Sequence, residues 1–107
     1  MAKFVLLYHG GNKPVKDFDM DAMMTAWHAW VTEMADKLID PGTGVGMSKT
    51  IFADGRVEDN GGSNPMSGYC VIEADAMEEA VAICQKHPYL MSGGSIEVAE
   101  GWQGPKP

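Results

Sequence analysis

Positive charge is scarce in this chain. Eight Lys and Arg face fifteen Asp and Glu, giving a formal net charge of −7, and Arg56 is the one arginine. Neutralising phosphates takes clustered Lys and Arg, so a nucleic-acid partner is not expected. Anionic membrane surfaces are disfavoured on the same ground. Cysteine is scarce too. Cys70 and Cys84 show no C-x-x-C spacing, one in a strand pattern and one on the apolar face of a helix, and both read as buried, reduced thiols.

Long apolar runs are missing, and a membrane span needs about 18 such residues. The opening MAKFVLLYHG has one Lys, a short apolar stretch and no small-residue cleavage site, unlike a secretory leader. The expected compartment is the cytoplasm. Three histidines occur without H-x-x-x-H or H-E-x-x-H spacing, so no metal is expected. Gly42, Gly44 and Gly46 alternate, but they precede a strand pattern instead of opening a helix, and so lack the context of a phosphate loop. No cofactor is expected.

What is present fits one domain over residues 1–107. Residues 3–9 read as a strand whose two faces are both largely apolar, the mark of a strand inside a sheet. A helix is expected over 19–38. Asp17, Asp19 and Asp21 sit at its start, and Met20, Met24, Trp27, Val31, Met34 and Leu38 form its apolar stripe. Asp40-Pro41-Gly42 is read as the stop. Residues 45–53 read as a second strand turning at Asp54-Gly55, with Arg56 and Val57 as a hairpin-like extension. Residues 58–67 read as the one real loop, and residues 68–74 as a third strand. A second helix is expected over 76–86 with Asp75 as its N-cap, ending at His87-Pro88. Residues 95–99 read as a fourth strand, and the tail GWQGPKP as coil.

The order β-α-β-β-α-β is the split βαβ, ferredoxin-like arrangement. The fold class is therefore α+β: a four-stranded antiparallel sheet with two helices on one face. That leaves the other face bare, including Val5 and Leu7. A second copy of the same sheet is the economical cover, so the expected partner is the chain itself, in a homodimer.

Here the residues resemble a known family. The opening MAKFVLLYHG, the segment GYCVIEADAMEEAVAICQKHPYL and the ending GGSIEVAE are similar to the YCII-related (DGPF-type) family. The resemblance implies a dimeric α+β barrel. Barrels of that kind include small isomerases, cofactor-free monooxygenases, decarboxylases and plain ligand-binding modules. The signature D-G-P-F loop is replaced here by Glu58-Asp59-Asn60-Gly61-Gly62-Ser63-Asn64-Pro65, in which Asp59 matches best and the Phe is absent. Some members resemble enzymes with a His on the first helix facing an Asp after the second. His28 fits the first position, while His87 stands at the second.

His28 and His87 are accordingly the expected catalytic pair. A His can act as acid or base near neutral pH. His28 sits at the edge of the Met/Trp face, and His87 at a helix C-terminus, where capping alone would account for it. His9, at the end of the first strand beside Gly10-Gly11, is a candidate substrate contact. Tyr69, Tyr89, Trp27, Met24 and Asp59 are the others. Glu73 and Glu97 on strands would serve as bases only if buried, and exposure is expected for both. Met20, Met23, Met24 and Met34 lie beside Trp27 and Trp30 on one helix and suit a small, partly apolar ligand. The expected function is a small cofactor-independent enzyme using a His acid/base. The alternatives are a non-enzymatic binding or regulatory module and a purely structural homodimer.

Overall fold

The computed structural model describes residues 2–11 and 15–102. Its strands are β1 (Ala2–His9), β2 (Leu38–Gly44), β3 (Thr50–Ile51), β4 (Val57–Glu58), β5 (Met66–Ala74) and β6 (Ser95–Glu100). Its helices are α1 (Met20–Glu33) and α2 (Met77–Gln85), followed by a 3-10 helix over Pro88–Ser92. The main sheet runs β2-β5-β1-β6, all antiparallel, with β1 inside it as its two apolar faces require. This is the ferredoxin-like α+β fold.

Alternation along the strands sorts the two faces. Phe4, Leu6 and Tyr8 of β1, with Cys70, Ile72 and Ala74 of β5, point to the helices and are buried. They meet Trp30 and Met34 on the α1 side, and Ala80 and Cys84 of α2. Phe4, Leu6 and Ile72 are each at most 1% exposed, and burial of such a side chain contributes about 1.5–3 kcal/mol. Val5, Leu7, Tyr69 and Val71 take the other face, where they are only half-buried.

Asp19 starts α1. Its backbone is extended, and its carboxylate accepts the Ala22 N–H at 3.1 Å. The buried stripe is Met23, Trp30 and Met34, with Trp27 half-buried. Met20 and Met24 are 56% and 40% exposed, which corrects the stripe expected from sequence. Both rows step by three and four. They differ by a small rotation that only the packing partners under the helix can fix.

The helix ends at Glu33, five residues before the expected Leu38, and the strand expected over 45–53 is replaced by one at 38–44. Asp40-Pro41-Gly42 made that stretch read as a terminator. It is instead an edge strand with two register shifts, and its pairing with β5 passes over Pro41, which has no N–H to give. Gly42 makes the close approach to β5. It has φ +69°, and a Cβ there would stand 1.8 Å from the Tyr69 carbonyl oxygen. Within 45–53 only Thr50–Ile51 is strand. It pairs with β4 in a separate hairpin that turns at Asp54-Gly55 as expected. The α2 N-cap is Ala76, without a side-chain bond, in place of Asp75. Trp102 is 88% exposed. The rest of the expected coil tail, 103–107, lies outside the described residues. Among the described residues no helix is long and apolar enough to cross a membrane.

Candidate functional site

The 3-10 helix positions two of the expected residues. Its N-cap is His87, whose Nδ1 accepts the Tyr89 N–H at 3.0 Å. With Nδ1 an acceptor, the neutral ring carries its proton on Nε2. That nitrogen lies 2.8 Å from the Tyr8 hydroxyl oxygen, so it donates there. The Tyr8 hydroxyl in turn donates to Cys70 Sγ at 3.3 Å. His87 is 2% exposed and is enclosed by Trp27, Trp30 and Tyr8, with ring centroids at 4.7, 4.3 and 5.1 Å. Burial pushes its pKa down to about 4, so it is neutral at ordinary pH. Burial also raises the Tyr8 and Cys70 pKa values and takes the Cys84 thiol up to about 12. Both cysteines are free and buried, as expected. This cluster is a closed and satisfied network with no ring nitrogen to spare.

His28 lies elsewhere. It is exposed, and its side chain bonds to nothing among the described residues. Its carbonyl accepts the Thr32 hydroxyl at 3.0 Å. No hydrogen bond or ring contact joins it to His87. Met24 is exposed beside it. Trp27 does reach the core cluster, edge-on to Tyr8, His87 and Tyr89.

A second cluster occupies the uncovered sheet face at the far end of β1. The pairing of β1 with β5 slips after Tyr8, so that Ser67 is passed over and His9 stands opposite Met66. His9 is 8% exposed. Its Nε2 lies 3.0 Å from Glu97 Oε1 and its Nδ1 lies 3.3 Å from the Pro65 carbonyl oxygen. A carbonyl and a carboxylate only accept. Each of these bonds therefore uses a proton carried by that ring nitrogen. Glu97 keeps 57% of its side chain exposed, as expected for it, and so faces solvent from a pair whose other half is buried. Tyr69 shares this face and bonds Asp40 Oδ2 at 3.4 Å.

Next to His9 lies a groove of about 1100 Å³. Gly10, Val45, Met47, Pro65, Met66 and Ser67 are among its walls, a mixture of apolar and hydroxyl-bearing groups. Its titratable lining groups are Lys49 and Asp59, which form an ion pair with each other. Tyr89, 8% exposed, sits behind the groove with its hydroxyl 2.7 Å from Ser67 Oγ.

The structure thus gathers Trp27, His87 and Tyr89 in the core, puts Asp59 in the groove wall, and leaves His9 behind its neighbours Gly10 and Pro65, which line that wall. Tyr8 and Ser67 were missed from sequence, and so was Glu97 as the partner of His9. The signal for Tyr8 was its place between an apolar strand and a histidine. For Glu97, only the antiparallel pairing of β6 with β1 could show it. Among the described residues, no cluster of three or more His, Cys, Asp or Glu could hold a metal ion.

No family model matches the chain, and neither does any curated protein. Among solved structures it is similar to the 5-chloro-2-hydroxyhydroquinone dehydrochlorinase of Burkholderia phenoliruptrix AC1100, in complex with 2,5-dihydroxybenzoquinone. The TM-score is 0.50 at 14% identity, over 94% of this chain and 93% of the other. That likeness shows a shared fold.

Proposed function

We propose that the chain is a small, cofactor-independent enzyme of the YCII-related kind. In this reading His9 and Glu97 act as an acid–base pair on a small, partly apolar molecule held in the groove beside them. The observation that carries it is the pair itself. A histidine 8% exposed meets a solvent-facing carboxylate at 3.0 Å, and both Gly10 and the His9 partner Pro65 line the groove. A proton shared between two such groups can be given to, or taken from, a substrate that displaces one of them. The acid–base role thereby passes from His28 and His87 to His9. Both partners of His87 are sealed in the core, whereas Glu97, the partner of His9, faces solvent, and among the described residues the His28 side chain has no bonded partner to orient it.

The same face is where a second copy would seat, closing a barrel-like homodimer over Val5, Leu7 and Val71. Ligand binding without turnover is the second reading. It is favoured by the groove, whose lining charges Lys49 and Asp59 are spent on each other.

The test is a backbone-amide NMR titration with 2,5-dihydroxybenzoquinone, the molecule carried by the structurally similar dehydrochlorinase. Shifts centred on Gly10, Met66 and Ser67 are expected. Shifts centred on α1 around His28 contradict this placement of the site.

A further inference from the structure

Resting on that reading of the site, we infer that Tyr89 is the positioning residue for His9. It fixes the strand end that aims the His9 ring at Glu97.

Tyr89 approaches from the helix side, while the His9 side chain points to the opposite face, so the two rings do not meet. The link is through the backbone. The Tyr89 hydroxyl lies 2.7 Å from the Gly10 carbonyl oxygen and 3.2 Å from that of His9. It has one proton, shared between these two acceptors, so at 2.7 Å Ser67 Oγ must be the donor to it. Ser67 is the residue the β1–β5 pairing passes over. One phenol therefore ties together both strands at the slip that sets the direction of His9.

The surroundings leave room for this ring and little else. A Cβ on Gly94 would stand 2.5 Å from the Tyr89 ring and 2.7 Å from the His9 carbonyl oxygen. The base of the ring is held as well, because the Tyr89 N–H is bonded to His87 Nδ1. The buried network of His87, Tyr8 and Cys70 thus anchors the backbone from which Tyr89 reaches His9. The core histidine supports the placement of His9 without touching it.

The test is Tyr89→Phe, read on protein labelled with 15N in its histidine side chains. In the parent protein the His9 Nδ1 and Nε2 protons, held by Pro65 and Glu97, should exchange slowly with solvent. Losing the hydroxyl should make both exchange about tenfold faster, the scale of one lost hydrogen bond in a partly buried site. The His87 Nε2 proton should keep its rate. Tyr69→Phe, on the sheet face but bonded to Asp40, should leave His9 unchanged and controls for general loosening. If Tyr89→Phe does not fold, Ser67→Ala reads the same protons and should accelerate them less. Unchanged His9 exchange in the folded variant, or equal acceleration in Tyr69→Phe, overturns the assignment. The readout needs no ligand. Failure of the groove to bind anything would defeat the functional reading and leave this assignment standing.

Discussion

His87 Nε2 donates to the Tyr8 hydroxyl across 2.8 Å, and the two rings stand at 62° to each other with centroids 5.1 Å apart. This bond fixes the direction of every proton in the cluster. The Tyr89 N–H points at His87, His87 at Tyr8, and Tyr8 at Cys70. The chain is consistent only with a neutral His87, because a second proton on Nδ1 would face the Tyr89 N–H. His87, the one expected catalytic residue that is deeply buried, is therefore held in one tautomer, whereas the carboxylate paired with His9 faces solvent.

Acid should unlock it. The folded-state pKa of His87 is lowered by burial to about 4, against an ordinary value near 6.5. An unfolded chain binds the proton first as pH falls, so stability from this site is complete above about 6.5. It declines down to about 4 and is flat below that. The slope within the window approaches 1.4 kcal/mol per pH unit, and the whole effect is roughly 3 kcal/mol. Urea unfolding of the parent and of His87→Gln at several pH values should show the slope in the first and its loss in the second. Parallel curves would rule it out.

Removing the Tyr8 hydroxyl should be costly without any change of shape. Tyr8→Phe leaves the His87 N–H buried without an acceptor, for a loss of about 1–3 kcal/mol in chemical unfolding. A variant as stable as the parent would mean that His87 has another acceptor.

The register of α1 can be tested with two neighbouring methionines. Met23 is 6% exposed and Met24 40%. Met23→Ala should cost about 2–4 kcal/mol, whereas Met24→Ala should stay within about 0.5 kcal/mol of the parent. The reverse order would restore the stripe first expected from the sequence.

Much of the fold is legible from periodicity alone. β1 announces itself through Phe4, Leu6 and Tyr8 alternating with Val5 and Leu7, and α2 through Met77, Ala80, Val81 and Cys84. The turn at Asp54-Gly55 is legible from its residue types. The edge strand is not, since Leu38–Gly44 contains Pro41, Gly42 and Gly44, whose local preferences oppose a strand. Its pairing with β5 overrides them, and local sequence carries no record of that partner. The site is hidden for the same reason. His9 and Glu97 are 88 positions apart and meet only because β6 returns antiparallel to β1. His28, by contrast, is conspicuous through its local pattern and stands exposed on α1.

β2 yields its own test. Gly42→Ala would drive a methyl into the Tyr69 carbonyl at a backbone angle that disfavours side chains. A loss above about 2 kcal/mol is expected in thermal or urea unfolding, more than φ strain alone costs an alanine. A near-neutral result would show that the 38–44 edge is not paired this way.

In the proposed function His9, oriented by Glu97, is the working histidine. Isothermal titration of 2,5-dihydroxybenzoquinone into the parent, His9→Asn and His28→Asn separates the two histidines. His9→Asn is expected to weaken binding about tenfold or more, the scale of one charge-assisted hydrogen bond, while His28→Asn binds like the parent. Binding lost in His28→Asn and kept in His9→Asn would contradict it.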